Sequence, residues 1–359
     1  MTRFDIAIVG GGIAGATLAA ELAPHASLVV IERESAAGYH ATGRSAAFWS
    51  ETYGGPHIQP LTTASAKELA PYLERLGALH IGRTGDAAAI DAFLDEFAGT
   101  GVELHRVAPA AQVPGLRPEW TLGVFEPSCA YIDVAALHAD ALGRVRRAGG
   151  ALWLDADLAS AAREGGAWRI ETTAGPLAAD ILVDAAGAWA DRVALAAGVA
   201  PIGIQPYRRT IAQLRTDPSP RAGMPLVVDI GEHFYFKPEA GGRLWLSPAD
   251  ETPVDPCDAA PEELDVAVAI DRMERAVDWR VVAVERRWAG LRSFAPDRRP
   301  VYGFDPRVSA FFWCAGQGGF GIQTAPAAAR LAASLLLGRA RDADIAHIDP
   351  AIYSPERFA

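Results

Sequence analysis

The sequence predicts an α/β chain built as two lobes, and three features carry that expectation. Its 359 residues exceed the roughly 100–200 typical of one domain. Its opening alternates strand, glycine turn, helix and strand, the pattern of a parallel βαβ unit. Near the C-terminus a second apolar strand, Phe311-Phe312-Trp313-Cys314, runs into another glycine-rich turn, Gly316 to Gly321.

The opening comes first. Residues 4–9, Phe-Asp-Ile-Ala-Ile-Val, are a short apolar run of strand type that leads into Gly10-Gly11-Gly12-Ile13-Ala14-Gly15, which satisfies G-x-G-x-x-G. Gly10 permits the tight turn, Gly12 lets the backbone approach a pyrophosphate, and Gly15 lets the helix pack close on the strand. Ala16 to Ala23 supplies small, helix-favouring residues, and Ser27 to Ile31 reads as a second buried strand ending in Glu32. The free N–H groups and partial positive charge of the helix N-terminus suit phosphates. Glu32, about twenty residues past the first glycine, is placed to accept hydrogen bonds from both ribose hydroxyls. Gly-rich turns also occur without a ligand, but strand, glycines, helix, strand and terminal acid together point to a Rossmann-like dinucleotide site. An acid at position 32 disfavours a 2′-phosphate, and hence NADP. After Glu32 comes a long polar loop, Arg33 to Arg44, running into the small residues Ser45, Ala46 and Ala47. Such a segment follows an extended cofactor past its pyrophosphate towards a ring system, which favours FAD over NAD.

Composition narrows the remaining classes. Half of the residues are hydrophobic and 21% are charged, the balance of a globular protein with a large core. The mean hydropathy of +0.09 comes from Ala spread through the chain. No apolar run approaches the ~18 residues that a membrane span needs, and the N-terminus lacks the pattern of a secretory signal. A cytoplasmic location and no transmembrane segment are therefore expected. The net charge of −11 argues against nucleic acid as a partner. Cys129, Cys257 and Cys314 are odd in number and far apart, offering neither a disulfide framework nor a metal spacing. The Pro- and Asp-rich stretch 248–262 reads as one exposed loop.

With these motifs in place, the sequence resembles the D-amino-acid oxidase superfamily of flavoproteins, which includes glycine and sarcosine oxidases. Within it the likeness is greatest to bacterial FAD-dependent D-arginine dehydrogenase. It runs almost end to end, through Ile8 to Ala16, Gly38 to Ala47, Val183 to Trp189, Gln205 to Arg209, Trp288 to Phe294 and Gln317 to Thr324. The resemblance implies non-covalent FAD held by Gly10, Gly12, Ile13, Ala14, Gly15, Glu32, Arg33, Thr42, Gly43, Arg44, Ser45, Ala46 and Ala47. Further on it implies Leu158, Ala186, Gly187, Trp189, Gly318, Gly319, Phe320, Gly321, Ile322, Gln323 and Thr324. The second glycine turn, with a helix expected from near Ile322, suits negative charge developing at the N1–C2 carbonyl of the ring. Cys314 is expected to be a packing residue rather than a covalent link to the flavin.

The implied chemistry is oxidation of a Cα–H bond, for which the protein must fix a carboxylate, orient the carbon and exclude water. An Arg is the natural clamp because its planar fork matches two oxygens. Arg292 lines up with the family's carboxylate-binding arginine, although an Arg taken alone is more often a solvated charge. Arg209 corresponds to a second substrate-site arginine, and Arg208 would alternate to the other strand face. Tyr53 and Tyr235 match active-site tyrosines whose hydroxyls hold the carboxylate or close the pocket. Gln317 would offer a carbonyl to the substrate amine. His40, a tempting base, belongs to the loop that follows FAD, where shielding is the expected role.

Two departures bear on the substrate. Phe48 stands where the D-arginine enzyme has a histidine, and with Trp49 it suggests an apolar pocket. Gly85 aligns with the acid that holds the guanidinium group, with Asp86 only adjacent. A buried cation without a partner is costly, so a neutral or apolar side chain is expected.

The resulting expectation is FAD-dependent oxidative deamination of D-amino acids, giving an imino acid and then a 2-oxo acid and ammonia. The electron acceptor, whether oxygen, a quinone or another carrier, is written in no motif. The alternatives are a 2-hydroxy-acid dehydrogenase, a secondary-amine oxidase and, from another class, a non-catalytic FAD-binding sensor or subunit. The FAD lobe is expected over 1–56, 131–204 and 290–359. A substrate lobe dominated by antiparallel sheet is expected over 57–130 and 205–289.

Overall fold

Strand Thr2–Val9 ends in four apolar residues, Ile6 to Val9, all buried. In a computed structural model describing residues 1–359, it pairs in parallel with Leu28–Ile31 on one side and Leu177–Asp184 on the other. Ala151–Trp153 and Phe311–Ala315 extend the parallel core to five strands. Continuous apolar runs suit these strands because a parallel sheet is covered on both faces.

Period-two alternation sorts their side chains. Ile6, Ile8, Val183 and Phe312 face helices Ile13–Leu22, Val134–Arg147 and Ala325–Leu337. Ala7, Val9, Leu182, Phe311 and Trp313 face the opposite core with Trp168 and helix Ala190–Ala196. Each fully buried Ile or Leu here contributes about 1.5–3 kcal/mol through removal from water.

The first helix begins at Ile13, before the expected Ala16, and the second strand begins at Leu28. The C-terminal helix differs more. It starts at Ala325, with Pro326 in its first turn, and not near Ile322. A helix from 322 would place Pro326 where an interior N–H must donate, and proline has none. Residues 319–324 are turns instead.

The second sheet is mainly antiparallel, as expected. Its frame is the long pair Gln205–Asp217 and Arg280–Phe294, in register from Gln205 opposite Phe294 to Gln213 opposite Arg286, with register shifts after Gln213 and after Arg215 before Asp217 meets Arg280. Arg243–Ser247, Tyr235–Glu239, Leu226–Asp229, Ala78–Gly82 and Leu122–Glu126 follow in order. Only the contact between Leu226–Asp229 and Ala78–Gly82 is parallel. One face buries Leu79, Phe236, Leu246 and Trp279 with helix Glu263–Glu274. The other face turns to the cavity.

Strand Arg280–Phe294 runs unbroken across position 290. Helix Gln59–Ala64 and the residues after it pack on the C-terminal helix. Leu61 joins the first core, and Ser65 Oγ accepts from Ala327 N at 3.1 Å. The stretch 248–262 is mostly exposed, with one short strand, Thr252–Pro253. No helix is long and apolar enough to cross a membrane.

Candidate active site

The glycine turns, the arginines and the tyrosines meet at one cavity of about 1020 Å³. That volume is at the upper end for ligand sites, with room for a large cofactor and a small substrate.

The dinucleotide end is built by close approach of backbone. Gly10 has φ +107°, and a β-carbon there would collide with the Ala185 carbonyl. A β-carbon on Gly15 would collide with the Gly10 carbonyl oxygen. Gly15 therefore works behind the turn and does not line the cavity. Two other expected cofactor contacts also lie off the cavity lining. Gly43 packs on the Gly38 carbonyl, and Thr324 is buried, donating to Phe320 O at 2.9 Å. The other expected cofactor residues all line the cavity.

Thr42 Oγ1 accepts from Ile13 N at 2.9 Å, satisfying one of the free N–H groups of the first helical turn. Glu32 accepts from Gly11 N at 2.8 Å with one oxygen and from Glu34 N at 2.9 Å with the other. Each oxygen keeps a lone pair for a ribose hydroxyl. His138 donates to Gly11 O at 2.8 Å, bracing the turn from helix Val134–Arg147. Sequence reasoning missed it, since one histidine in an ordinary helix carries no signal.

The loop after Glu32 is tied down along its length. His40 bonds Glu34 at 2.9 Å and packs against Trp189, which also carries the Arg33 guanidinium at 4.5 Å. These contacts suit shielding rather than catalysis. Arg44 is held by Asp258 and by Ala259 O at 2.9 Å. Cys314 is buried in its strand, and burial pushes its thiol up to about 12, so it stays protonated. A cradle too tight for β-carbons, with an acid still free to accept, fits an adenine dinucleotide.

The other end is cationic. Arg209 and Arg292 share one face of the long strand pair, since Arg209 sits opposite Gly290 and Tyr207 opposite Arg292. Arg208 points the other way, to Glu262 and to Asp265 at 2.9 Å. Arg209 is 9% exposed and already engaged, donating to Asp250 O at 2.7 Å and Glu251 at 3.3 Å. Burial, and then the neighbouring Arg292, hold its guanidinium below the usual range. Arg292 has no hydrogen bond or ion pair within the chain; it lies 5.6 Å from the Tyr53 ring centre. Burial raises the Tyr53 phenol above its ordinary value against the pull of both arginines, so it remains a donor.

Tyr235 meets Phe48 edge-on at 6.1 Å. Gln317 donates to Cys314 O at 2.8 Å, which leaves its carbonyl oxygen free. All six expected substrate-side residues, Phe48, Tyr53, Arg209, Tyr235, Arg292 and Gln317, therefore line this one cavity.

Gly85 does not. It is exposed in a short turn with open space around it, and Asp86 accepts from Arg83 N at 2.7 Å. Strand Ala78–Gly82 has ended there, so the expected reader of the side chain is outside the site. The wall is instead Ala78, His80, Phe93, Leu226, Val228 and Ile230, with Glu96 and Glu232 exposed at the rim. Behind it lies Glu126, 0% exposed, accepting from Ser50 Oγ at 2.9 Å, Glu51 N at 2.7 Å and Thr52 Oγ1 at 2.7 Å. Burial pulls that carboxyl upward, but His80, Thr52 and Ser50 outweigh it, so it stays ionised below the usual range.

The model of the FAD dependent oxidoreductase family named DAO matches residues 5–335. The chain belongs to that family. The glycine oxidase of Geobacillus kaustophilus is 24% identical over 363 residues, covering 93% of this chain and 93% of that protein. The solved structure of a glycine oxidase from the same species has a TM-score of 0.82 at 23% identity, over 97% of this chain and 98% of that one. The bifunctional protein ThiO/ThiG of Synechocystis is 26% identical over 379 residues, 99% of this chain. The chain spans about half of that relative's length, 54%. The L-α-glycerophosphate oxidase of Mycoplasma pneumoniae, solved with FAD bound, has a TM-score of 0.84 at 16% identity, over 94% of this chain and 95% of that one. The structural likenesses establish the fold. FAD is the cofactor of this DAO-family chain, and the glycine cradle and Glu32 are where it fits.

Proposed function

We propose that this DAO-family protein oxidatively deaminates D-amino acids with neutral, mainly apolar side chains. The observation that carries the reading is Arg292, a guanidinium inside the cavity with no partner, beside the Tyr53 hydroxyl and Gly319. A site with one spoken-for arginine and one free one is completed by a carboxylate.

In this reading Arg292 takes both carboxylate oxygens, with Tyr53 and Tyr235 donating, and Arg209 adds field from its fixed pairs. The free carbonyl of Gln317 accepts from the substrate amine. The substrate binds as the neutral amine. The Cα–H bond breaks with its electron pair leaving on hydrogen, while the nitrogen lone pair forms the C=N bond. Bound FAD supplies the two-electron acceptor for that hydride. Water then adds to the carbon and ammonia departs, giving the 2-oxo acid. Oxygen, a quinone or another carrier accepts the electrons afterwards.

The D configuration is proposed from the resemblance of the motifs to D-arginine dehydrogenase. The neutral side chain is supported by the apolar wall of Phe48, Ala78, Phe93, Leu226, Val228 and Ile230. We also propose that 1–56, 131–204 and 290–359 form the lobe that holds FAD non-covalently and 57–130 and 205–289 the substrate lobe, with Phe48, Tyr53, Arg292 and Gln317 reaching the substrate from the FAD lobe. Incubating the holoprotein with a D-amino acid and an artificial acceptor tests the reaction. Equal amounts of 2-oxo acid and ammonia are expected; an acceptor that stays oxidised with D-amino acids but is reduced when a 2-hydroxy acid is supplied would point to a hydroxy acid as the true substrate.

A further inference from the structure

We infer that His80 reads the far end of the substrate side chain, accepting a hydrogen bond from a terminal hydroxyl or carboxamide N–H. The inference rests on the amino-acid reading above for where the carboxylate sits, and among the neutral substrates it favours those with a donor at the tip.

Register places the residue. His80 stands opposite Val228, and Val228 opposite Tyr235, on three adjacent strands. Residues paired in this way share one sheet face, so His80 lies two strand spacings from Tyr235, roughly 10 Å. Tyr235 belongs to the clamp end with Arg209, Arg292 and Tyr53. A carboxylate held there leaves about that span for Cα and an extended side chain.

His80 is also an unfinished polar site. It is 9% exposed and lines the cavity, with its ring wedged against Phe93 at 4.5 Å. Neither ring nitrogen has a hydrogen-bond partner in the chain, and of the two only Nε2 is sealed from solvent. Nε2 faces the buried carboxylate of Glu126 at 3.9 Å, too long for a hydrogen bond but close enough to orient the ring. In the neutral tautomer that turns its N–H towards that carboxylate, Nδ1 is a lone-pair acceptor. Nδ1, without a partner in the chain and not sealed off, is free to take the ligand as its partner at the cavity. Of the neighbouring polar groups on the cavity, Ser50 and Thr52 are tied to Glu126. Ala78, Leu226, Val228 and Ile230 are apolar, and Asp229 spends its Oδ2 on His233 at 2.6 Å. Glu96 and Glu232 are exposed to water at the rim.

Closely matched substrate pairs test this on the holoprotein: D-phenylalanine with D-tyrosine, and D-methionine with D-glutamine. In at least one pair the donor-bearing member is expected to have at least about tenfold higher kcat/KM, mostly through KM. His80→Leu should bring that ratio to near one, and His80→Gln, which keeps an acceptor, should restore part of it. A ratio unchanged in His80→Leu overturns the inference. Binding without turnover separates it from the proposed reaction. Flavin absorbance titrations with 3-phenylpropanoate and 3-(4-hydroxyphenyl)propanoate should show tighter binding of the phenol in the wild type. If that preference holds while no D-amino acid is oxidised, the reaction fails and the His80 inference stands. Equal binding of the two acids by the wild type overturns it, whether or not the variants fold.

Discussion

The Tyr53 hydroxyl rests directly against Gly319, and the Arg292 guanidinium closes over the same glycine. A β-carbon on Gly319 would collide with that hydroxyl and lie 3.1 Å from Arg292 Cζ. Gly319→Ala is therefore expected to displace both groups. A misplacement near 1 Å lowers kcat/KM by roughly tenfold to a hundredfold. Steady-state kinetics, read beside the melting temperature and FAD content, check this; normal kinetics in a folded, flavin-loaded variant would contradict the arrangement.

Arg292→Ala removes the one free cation of the clamp. Substrate binding should weaken by about 2–5 kcal/mol, the cost of stripping one partner from a buried charge pair. FAD content should stay normal, because Arg292 is not part of the glycine cradle. Arg292→Lys should recover only a fraction, since an ammonium lacks the fork that matches a carboxylate. Substrate titration by flavin absorbance measures all three proteins.

Neighbouring arginines should behave oppositely. Arg208 faces Glu262 and Asp265, away from the cavity, so Arg208→Ala should cost about 1–3 kcal/mol of stability. The low end is favoured because Glu262 is largely exposed. Its KM should not move. Arg209→Ala should raise KM, because Arg209 lies on the substrate face. Paired denaturation and kinetic measurements decide whether the strand alternation is right.

Glu126 ties the segment leading to Tyr53 to the second sheet. Its folded carboxyl titrates below the usual range, so its contribution is complete above the ordinary glutamate pKa. That contribution is lost as pH falls through the lowered value. Glu126→Gln cannot accept with both side-chain termini. It should be less stable than wild type at neutral pH, with the gap narrowing in acid. Urea midpoints between about pH 7 and about pH 3 test the sign; a gap that widens in acid would refute it.

The parts of the fold that were legible were local. Strand, glycines, helix and acid over residues 4–32 follow one another in sequence, so their geometry needs no distant partner. The late start of the C-terminal helix is also written in the sequence, in Pro326, which has no N–H to donate from a helix interior. The substrate wall was harder. His80 reaches the cavity because Ala78–Gly82 pairs with Leu226–Asp229, a long-range contact that no local pattern announces. Gly85 was placed there by alignment alone, but the chain had already left the sheet. Glu126 carries no local signal, because its donors come from Ser50, Glu51 and Thr52 in a distant segment.

Anaerobic mixing of the holoprotein with single substrates, followed by flavin absorbance, tests the central claim most directly. D-leucine, D-methionine and D-phenylalanine should bleach the flavin, and faster at equal concentration than D-arginine or D-lysine. An apolar side chain gains about 25 cal/mol per Å² buried against this wall, whereas the acids beside it are Glu96 and Glu232 at the wet rim and Asp229, already paired with His233. If D-arginine and D-lysine reduce the flavin fastest, Glu96 or Glu232 closes over the tail and the neutral preference is wrong. If no D-amino acid bleaches it while a 2-hydroxy acid or a secondary amine does, oxidative deamination of D-amino acids is not this protein's reaction.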